Sequence, residues 1–99
     1  MKGVHESILE CVGNTPLVRL QKMTAGMPHN VWAKLEFLNP GGSMKDRVAM
    51  KIIDDYEKKG LLRPGGTIVE ATSGNTGAGL ALVAALRGYN TIFVLPDKQ

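Results

Sequence analysis

The chain has 99 residues, 43 % of them hydrophobic, and 12 Lys and Arg against 9 Asp and Glu give it a formal charge of +3, the composition of one small globular domain. Acids and bases are interleaved, so the dense basic stripe of a nucleic-acid binder is missing. The longest uncharged run, Ala71 to Leu86, carries too much Gly, Ser, Thr and Asn to read as a membrane span. Met1 to Glu6 lacks the apolar stretch of a secretory signal, so a cytoplasmic setting is expected. Cys11 stands alone and no His cluster accompanies it, so neither an internal disulfide nor a metal site is expected.

In chain order, a short helix around Ser7 to Cys11 leads through the turn Gly13-Asn14-Thr15-Pro16 into two strand candidates, Leu17 to Leu20 and Val31 to Leu35. The loop Asn39-Pro40-Gly41-Gly42 then opens a helix, with Ser43 as N-cap and Asp46 completing a capping box, that runs to about Lys59. Gly60 ends it, and Pro64-Gly65-Gly66 turns the chain into the strand Thr67 to Glu70. Thr72-Ser73-Gly74-Asn75 opens a second helix ending near Arg87-Gly88, and Thr91 to Leu95 is a further strand. Strand, helix and strand at this spacing form a βαβ unit with parallel pairing, hence an α/β class.

From Gly77 to Leu86 every residue is Gly, Ala, Leu or Val, which predicts a helix buried on all sides. The rest of the chain has little with which to cover it. The sequence also stops just after a strand, so the chain is expected to be the N-terminal part of a larger protein.

Two glycine loops, Asn39 to Lys45 and Thr72 to Gly77, deliver backbone N–H groups to a helix start, the design of an anion site. At about 100° per residue, Lys45 falls at the centre of the stripe Val48, Ala49, Ile52, Ile53 and Tyr56, with Arg47, Lys51, Asp54 and Lys58 opposite. Such a lysine either snorkels outward or sits where desolvation and the helix dipole favour the neutral amine that Schiff-base chemistry needs. Thr72, Ser73, Asn75 and Thr76 offer hydroxyls and an amide, while Gly74 and Gly77 admit a close backbone approach. That set suits a carboxylate or phosphate, and capping by Ser73 or Asn75 explains it equally well.

Gly74 to Gly79 also follows a strand and precedes Asp97 by about 20 residues, as in a dinucleotide fingerprint, but its glycines read G-x-x-G-x-G, the wrong order. His5 and His29 read as solvated and Cys11 as a small buried hydrophobe. Asp54, Asp55 and Glu57, among Lys51, Lys58 and Lys59, read as a solvated face.

Taken together, Gly13-Asn14-Thr15-Pro16-Leu17-Val18-Arg19-Leu20, Lys34-Leu35-Glu36, Asn39-Pro40-Gly41-Gly42-Ser43-Met44-Lys45-Asp46-Arg47 and Thr72-Ser73-Gly74-Asn75-Thr76-Gly77 closely resemble the β-family of pyridoxal-phosphate enzymes, fold type II, which contains cysteine synthase and cystathionine β-synthase. The resemblance runs from about Ile8 onward. It implies a parallel-sheet, three-layer αβα domain, incomplete in this chain. Residues 1–38 would contribute to the larger cofactor domain, and residues 39–99 would begin the smaller one.

It further implies that Lys45 carries pyridoxal phosphate as a Schiff base and removes the substrate α-proton, and that Asn75 bonds the cofactor's 3-hydroxyl oxygen. Thr72, Ser73, Gly74, Asn75 and Thr76 would cradle the α-carboxylate of an amino-acid substrate. The implied reaction is β-replacement on serine or O-acetylserine through an aminoacrylate, with a thiol or sulfide as acceptor, in a homodimer that binds neither nucleic acid nor membrane. Phe37 with Gly41-Gly42, and Gly88-Tyr89-Asn90 through Lys98, are somewhat closer to cystathionine β-synthase than to cysteine synthase. In family members the glycine loop for the cofactor phosphate lies downstream, so these residues alone are expected to bind cofactor poorly. A reading of another class takes the chain as a truncated, non-catalytic interaction module.

Overall fold

The computed structural model of the chain describes residues 3–72 and 74–97. Ser73, one of the expected site residues, lies outside the described residues. A 3-10 helix, Ile8–Cys11, is capped by the Ser7 side chain, which accepts from the Leu9 N–H. Strands β1, Leu17–Leu20, and β2, Val31–Lys34, pair antiparallel from Leu17 opposite Lys34 to Leu20 opposite Val31. A second 3-10 helix, Glu36–Leu38, leads to α1, Lys45–Lys58. Then come β3, Thr67–Ala71, α2, Asn75–Arg87, and β4, Asn90–Val94.

The expected βαβ unit is present: β3 and β4 run parallel, with Thr67 opposite Asn90 and Ala71 opposite Val94. Gly60 and Gly88, at φ of 73° and 80°, end the two helices in the left-handed conformation that favours glycine. The last strand begins and ends one residue earlier than its apolar run indicates, because Asn90 is already in the ladder opposite Thr67.

Two faces make the core. Ala49 and Ile53 of α1 meet Leu80 and Val83 of α2, and Ile68 and Phe93 from one face of the parallel pair pack against them. The opposite face of that pair carries Val69, Ile92 and Val94, all more than half exposed. Two of the three layers of an αβα domain are therefore present. On α2 one stripe is covered, Gly77, Gly79, Leu80, Val83 and Ala84, while Ala78, Ala85 and Leu86 are exposed. The sequence expectation of burial on every side is corrected for this chain: α1 covers only the stripe it touches. The β1–β2 ladder makes few contacts with the helices. The radius of gyration is accordingly 17.0 Å, against about 13 Å for a compact chain of this length.

Polar contacts fix the two helices to each other and to the N-terminal segment. Arg87 of α2 donates to Asp54 at 2.7 Å and to Glu57 at 2.8 Å, and the Tyr89 hydroxyl donates to Glu57 at 2.5 Å. The expected solvated face is thus corrected at Asp54 and Glu57, which bind the second helix, while Asp55 pairs with Lys51 within α1. Cys11 is half-buried rather than buried, and His5 faces the Glu10 carboxylate at 3.2 Å. No described helix is long and apolar enough to cross a membrane, and among the described residues no group of three His, Cys, Asp or Glu could hold a metal.

Candidate functional site

The two glycine loops share a design in sequence and differ in what fills them. At the first, Asp46 is wholly buried and its carboxylate accepts the Gly41 N–H, so the chain supplies its own anion to this loop. Gly41 permits this because a Cβ there would overlap the Asp46 carboxylate. The capping box is corrected accordingly. Ser43 Oγ accepts from the Lys45 N–H at 3.1 Å, and Asp46 reaches back past Ser43 to Gly41. Asn39 secures the loop by accepting the Gly13 N–H at 2.8 Å and donating to Glu36 and to the Ser43 carbonyl.

The same buried Asp46 shifts the helix stripe. The buried residues of α1 are Asp46, Ala49 and Ile53, so Lys45 lies at the edge of that stripe, half-buried, rather than at its centre. From there it borders the second loop. Its own carbonyl lies in the helix crossing, 2.9 Å from where a Cβ on Gly79 would stand.

The second loop is open. Thr72 Oγ1 accepts from the Gly77 N–H at 3.0 Å and from the Gly74 N–H at 3.4 Å, so Thr72 is the capping residue that the sequence assigns to Ser73 or Asn75. The N–H groups of Asn75 and Thr76 find no partner among the described residues, as the first turn of a helix leaves them. Among the described residues nothing lies within 4 Å of a Cβ placed on Gly74. A ligand can therefore approach the backbone there.

Lys45, Glu70, Ala71, Thr72, Gly74, Asn75 and Thr76 line one open cleft of about 390 Å³ at the C-terminal end of β3, the end at which open α/β sheets bind ligands. Of the expected site residues, Lys45, Thr72, Gly74, Asn75 and Thr76 come together in this cleft, although Lys45 is 27 positions from Thr72 in sequence. Glu70 is a lining residue the sequence reading passed over. Its signal is the period of two on β3, which puts Glu70 on the same half-buried face as Ile68. The arrangement offers one primary amine, a carboxamide, hydroxyls and a helix N-terminus, a set suited to a carbonyl compound together with an anion.

Known proteins resemble this chain in sequence and in fold. Residues 8–99 match the family described as pyridoxal-phosphate dependent enzymes. The chain is 56 % identical over 98 residues to a cystathionine beta-synthase of Apis mellifera, covering 97 % of this chain and 19 % of that one. It is 48 % identical to cysteine synthase 1 of Emericella nidulans, covering 99 % and 26 %. The structure superimposes on a hydrogen sulfide-producing enzyme from Fusobacterium nucleatum with a TM-score of 0.93 at 41 % identity, over all of this chain and 32 % of the other. The chain thus spans between a fifth and a third of the length of these relatives.

Proposed function

Because the chain belongs to the family of pyridoxal-phosphate dependent enzymes, which it matches over residues 8–99, we propose that its cleft serves a β-replacement reaction on serine or O-acetylserine. The observation that carries this reading is that Lys45 shares one cleft with Thr72, Gly74, Asn75 and Thr76 at the start of α2. Pyridoxal phosphate fits the residues present. An amine is there to bond its carbonyl carbon, Asn75 is exposed in the same cleft, and the backbone at Gly74 borders open space. Bound there, it would supply an electron sink for the charge that develops at the substrate's α-carbon.

The chain's own residues do the rest. The N–H groups of Asn75 and Thr76, at the positive end of α2 and without a partner among the described residues, would receive the α-carboxylate of the amino acid. Thr72 uses an acceptor lone pair on Gly77 and keeps its O–H proton for a ligand. Lys45 would hold the cofactor through its amine, and with that amine free it would take the substrate's α-proton and keep it in the cleft for the leaving group. Asn75 Nδ2 would donate to the 3-hydroxyl oxygen of the cofactor. The β-hydroxyl or acetate would leave with the proton that Lys45 holds, and a thiol or sulfide, giving up its own proton, would take its place at the β-carbon.

Cystathionine is the product to seek first, a choice supported by 56 % identity to the Apis mellifera cystathionine beta-synthase, with a Flavobacterium cysteine synthase close behind at 53 %. The test is product analysis of the full-length protein with pyridoxal phosphate, supplied in turn with serine and homocysteine and with O-acetylserine and sulfide. Cystathionine from the first pair is expected. Cysteine from the second alone would move the assignment to a cysteine synthase, and neither product would refute β-replacement.

A further inference from the structure

Lys45 is held from two sides, and the side opposite the cleft is polar. The Arg47 guanidinium reaches three places at once: Nε donates to Glu36 Oε1 at 2.5 Å, and Nη2 donates to the Gly13 carbonyl at 2.9 Å and to Thr15 Oγ1 at 3.2 Å. Glu36 accepts in addition from Asn39, which itself grips the Gly13 N–H and the Ser43 carbonyl. Lys34 closes the group on the Thr15 carbonyl. One planar cation therefore ties the first turn of α1 to the turn before β1 and to the 3-10 helix after β2, across 11 to 34 positions of sequence.

We propose that Arg47, through its contacts to Glu36 and Gly13, is a positioning residue that sets the rotation of α1 and so the direction in which Lys45 enters the cleft. Two helix positions apart means about 200° around the axis, so Arg47 and Lys45 project to nearly opposite sides. An anchor on one side fixes the azimuth of the other. On the α2 side the Lys45 carbonyl against Gly79 fixes how closely the helices approach and Ala49 and Ile53 seat the middle of α1 on Leu80 and Val83, which leaves the first turn to be fixed by Arg47 and by Asp46 on the Gly41 N–H. A slip of about 10° would carry an amine about 8 Å from the axis through about 1.4 Å, and a misplacement of about 1 Å costs about 100-fold in rate. Lysine cannot replace Arg47 here, because an ammonium lacks the planar fork that serves Glu36 and Gly13 together.

The inference rests on the reading of Lys45 as the cofactor lysine. Its control is Arg87, which ties α2 to α1 nine to twelve positions beyond Lys45, at Asp54 and Glu57, about 14 to 18 Å from Lys45. Full-length Arg47→Ala, Arg47→Lys and Arg87→Ala are compared with the parent, each loaded with pyridoxal phosphate. The readouts are thermal midpoint, kcat and KM for the amino acid, and the pH midpoint of the visible cofactor band.

Both alanine variants are expected to lose thermal stability. Only the Arg47 variants are expected to lose kcat, by about 10- to 100-fold, with KM nearly unchanged and the pH midpoint of the band displaced. Arg47→Lys should recover stability more fully than kcat. Equal loss of kcat in Arg47→Ala and Arg87→Ala, or kcat within about twofold of the parent in both Arg47 variants, overturns the proposal. Should Arg47→Ala not fold, Arg47→Lys and Glu36→Gln are read by the same criteria. A parent with no borohydride-stable cofactor on Lys45 removes the premise and the proposal with it. A parent with that adduct, whose Arg47 variants behave like Arg87→Ala, removes the proposal alone.

Discussion

Replacing Gly79 by Ala sets two effects of known size against each other. In a helix interior Ala is favoured over Gly by about 0.8–1.0 kcal/mol, so propensity alone makes the substitution stabilising. The structure reverses the sign. A Cβ at Gly79 would stand 2.9 Å from the Lys45 carbonyl oxygen, 3.2 Å from the Lys45 carbonyl carbon and 3.2 Å from Ala49 Cβ, whereas carbon contacts are optimal at about 3.5–4.0 Å. Two of the three atoms are backbone of α1, which no side-chain rotation moves, so the helices must part by about half an ångström. Overpacking of this kind costs about 1–3 kcal/mol. The upper half of that range applies where backbone is the obstacle, leaving a net loss of about 1–2 kcal/mol after the propensity gain. Urea unfolding of the full-length protein, compared at constant m-value, measures it. Ala49→Gly in the same chain should rescue little, because it removes only the methyl and leaves the carbonyl. A Gly79→Ala variant that is neutral or more stable than the parent would refute the close crossing of α1 and α2, and with it the route by which α2 places Lys45.

Thr72→Val removes the acceptor that caps Gly74 and Gly77, and should lower stability by about 1 kcal/mol while raising KM for the amino acid; Thr72→Ser should restore both, as read by urea titration and initial rates. Arg47 holds the Glu36 carboxyl below its ordinary value of 4.5. A carboxyl depressed in the folded state stabilises above its unfolded pKa and loses that contribution as the pH falls through the folded value. The difference in thermal midpoint between the parent and Glu36→Gln is therefore expected to be constant near neutrality and to close below pH 4.5. A difference that does not change with pH would show that the pair contributes nothing through charge.

The secondary structure was legible because it is written locally. Apolar strands, the helical period of α1 and the glycines at 60 and 88 mark the elements to within a residue or two. The parallel pairing of β3 and β4 followed from the βαβ spacing alone. What the sequence could not carry is the polar wiring. Periodicity put Lys45 at the centre of the buried stripe, where the first turn instead buries Asp46 in line with Ala49 and Ile53, since nothing in the period reveals that Gly41 will offer a backbone donor to a buried carboxylate. The cap of α2 fell to Thr72 because its hydroxyl reaches the N–H of Gly77, five positions on, past the two residues a local capping rule would choose. The pairings of Arg47 with Glu36 and Gly13, and of Arg87 with Asp54 and Glu57, join residues 11 to 34 positions apart. No local pattern predicts them. Resemblance supplied the role proposed for Lys45, and the fold supplied the cleft it shares with Thr72, Gly74, Asn75 and Thr76.

The most direct test of the account is chemical trapping. The full-length protein, incubated with pyridoxal phosphate and reduced with borohydride, is digested and its peptides are mapped by mass spectrometry beside those of Lys45→Ala. The account predicts a single reduced adduct on the peptide containing Lys45, absent from the variant. An adduct on another lysine, or one that survives Lys45→Ala, would contradict it.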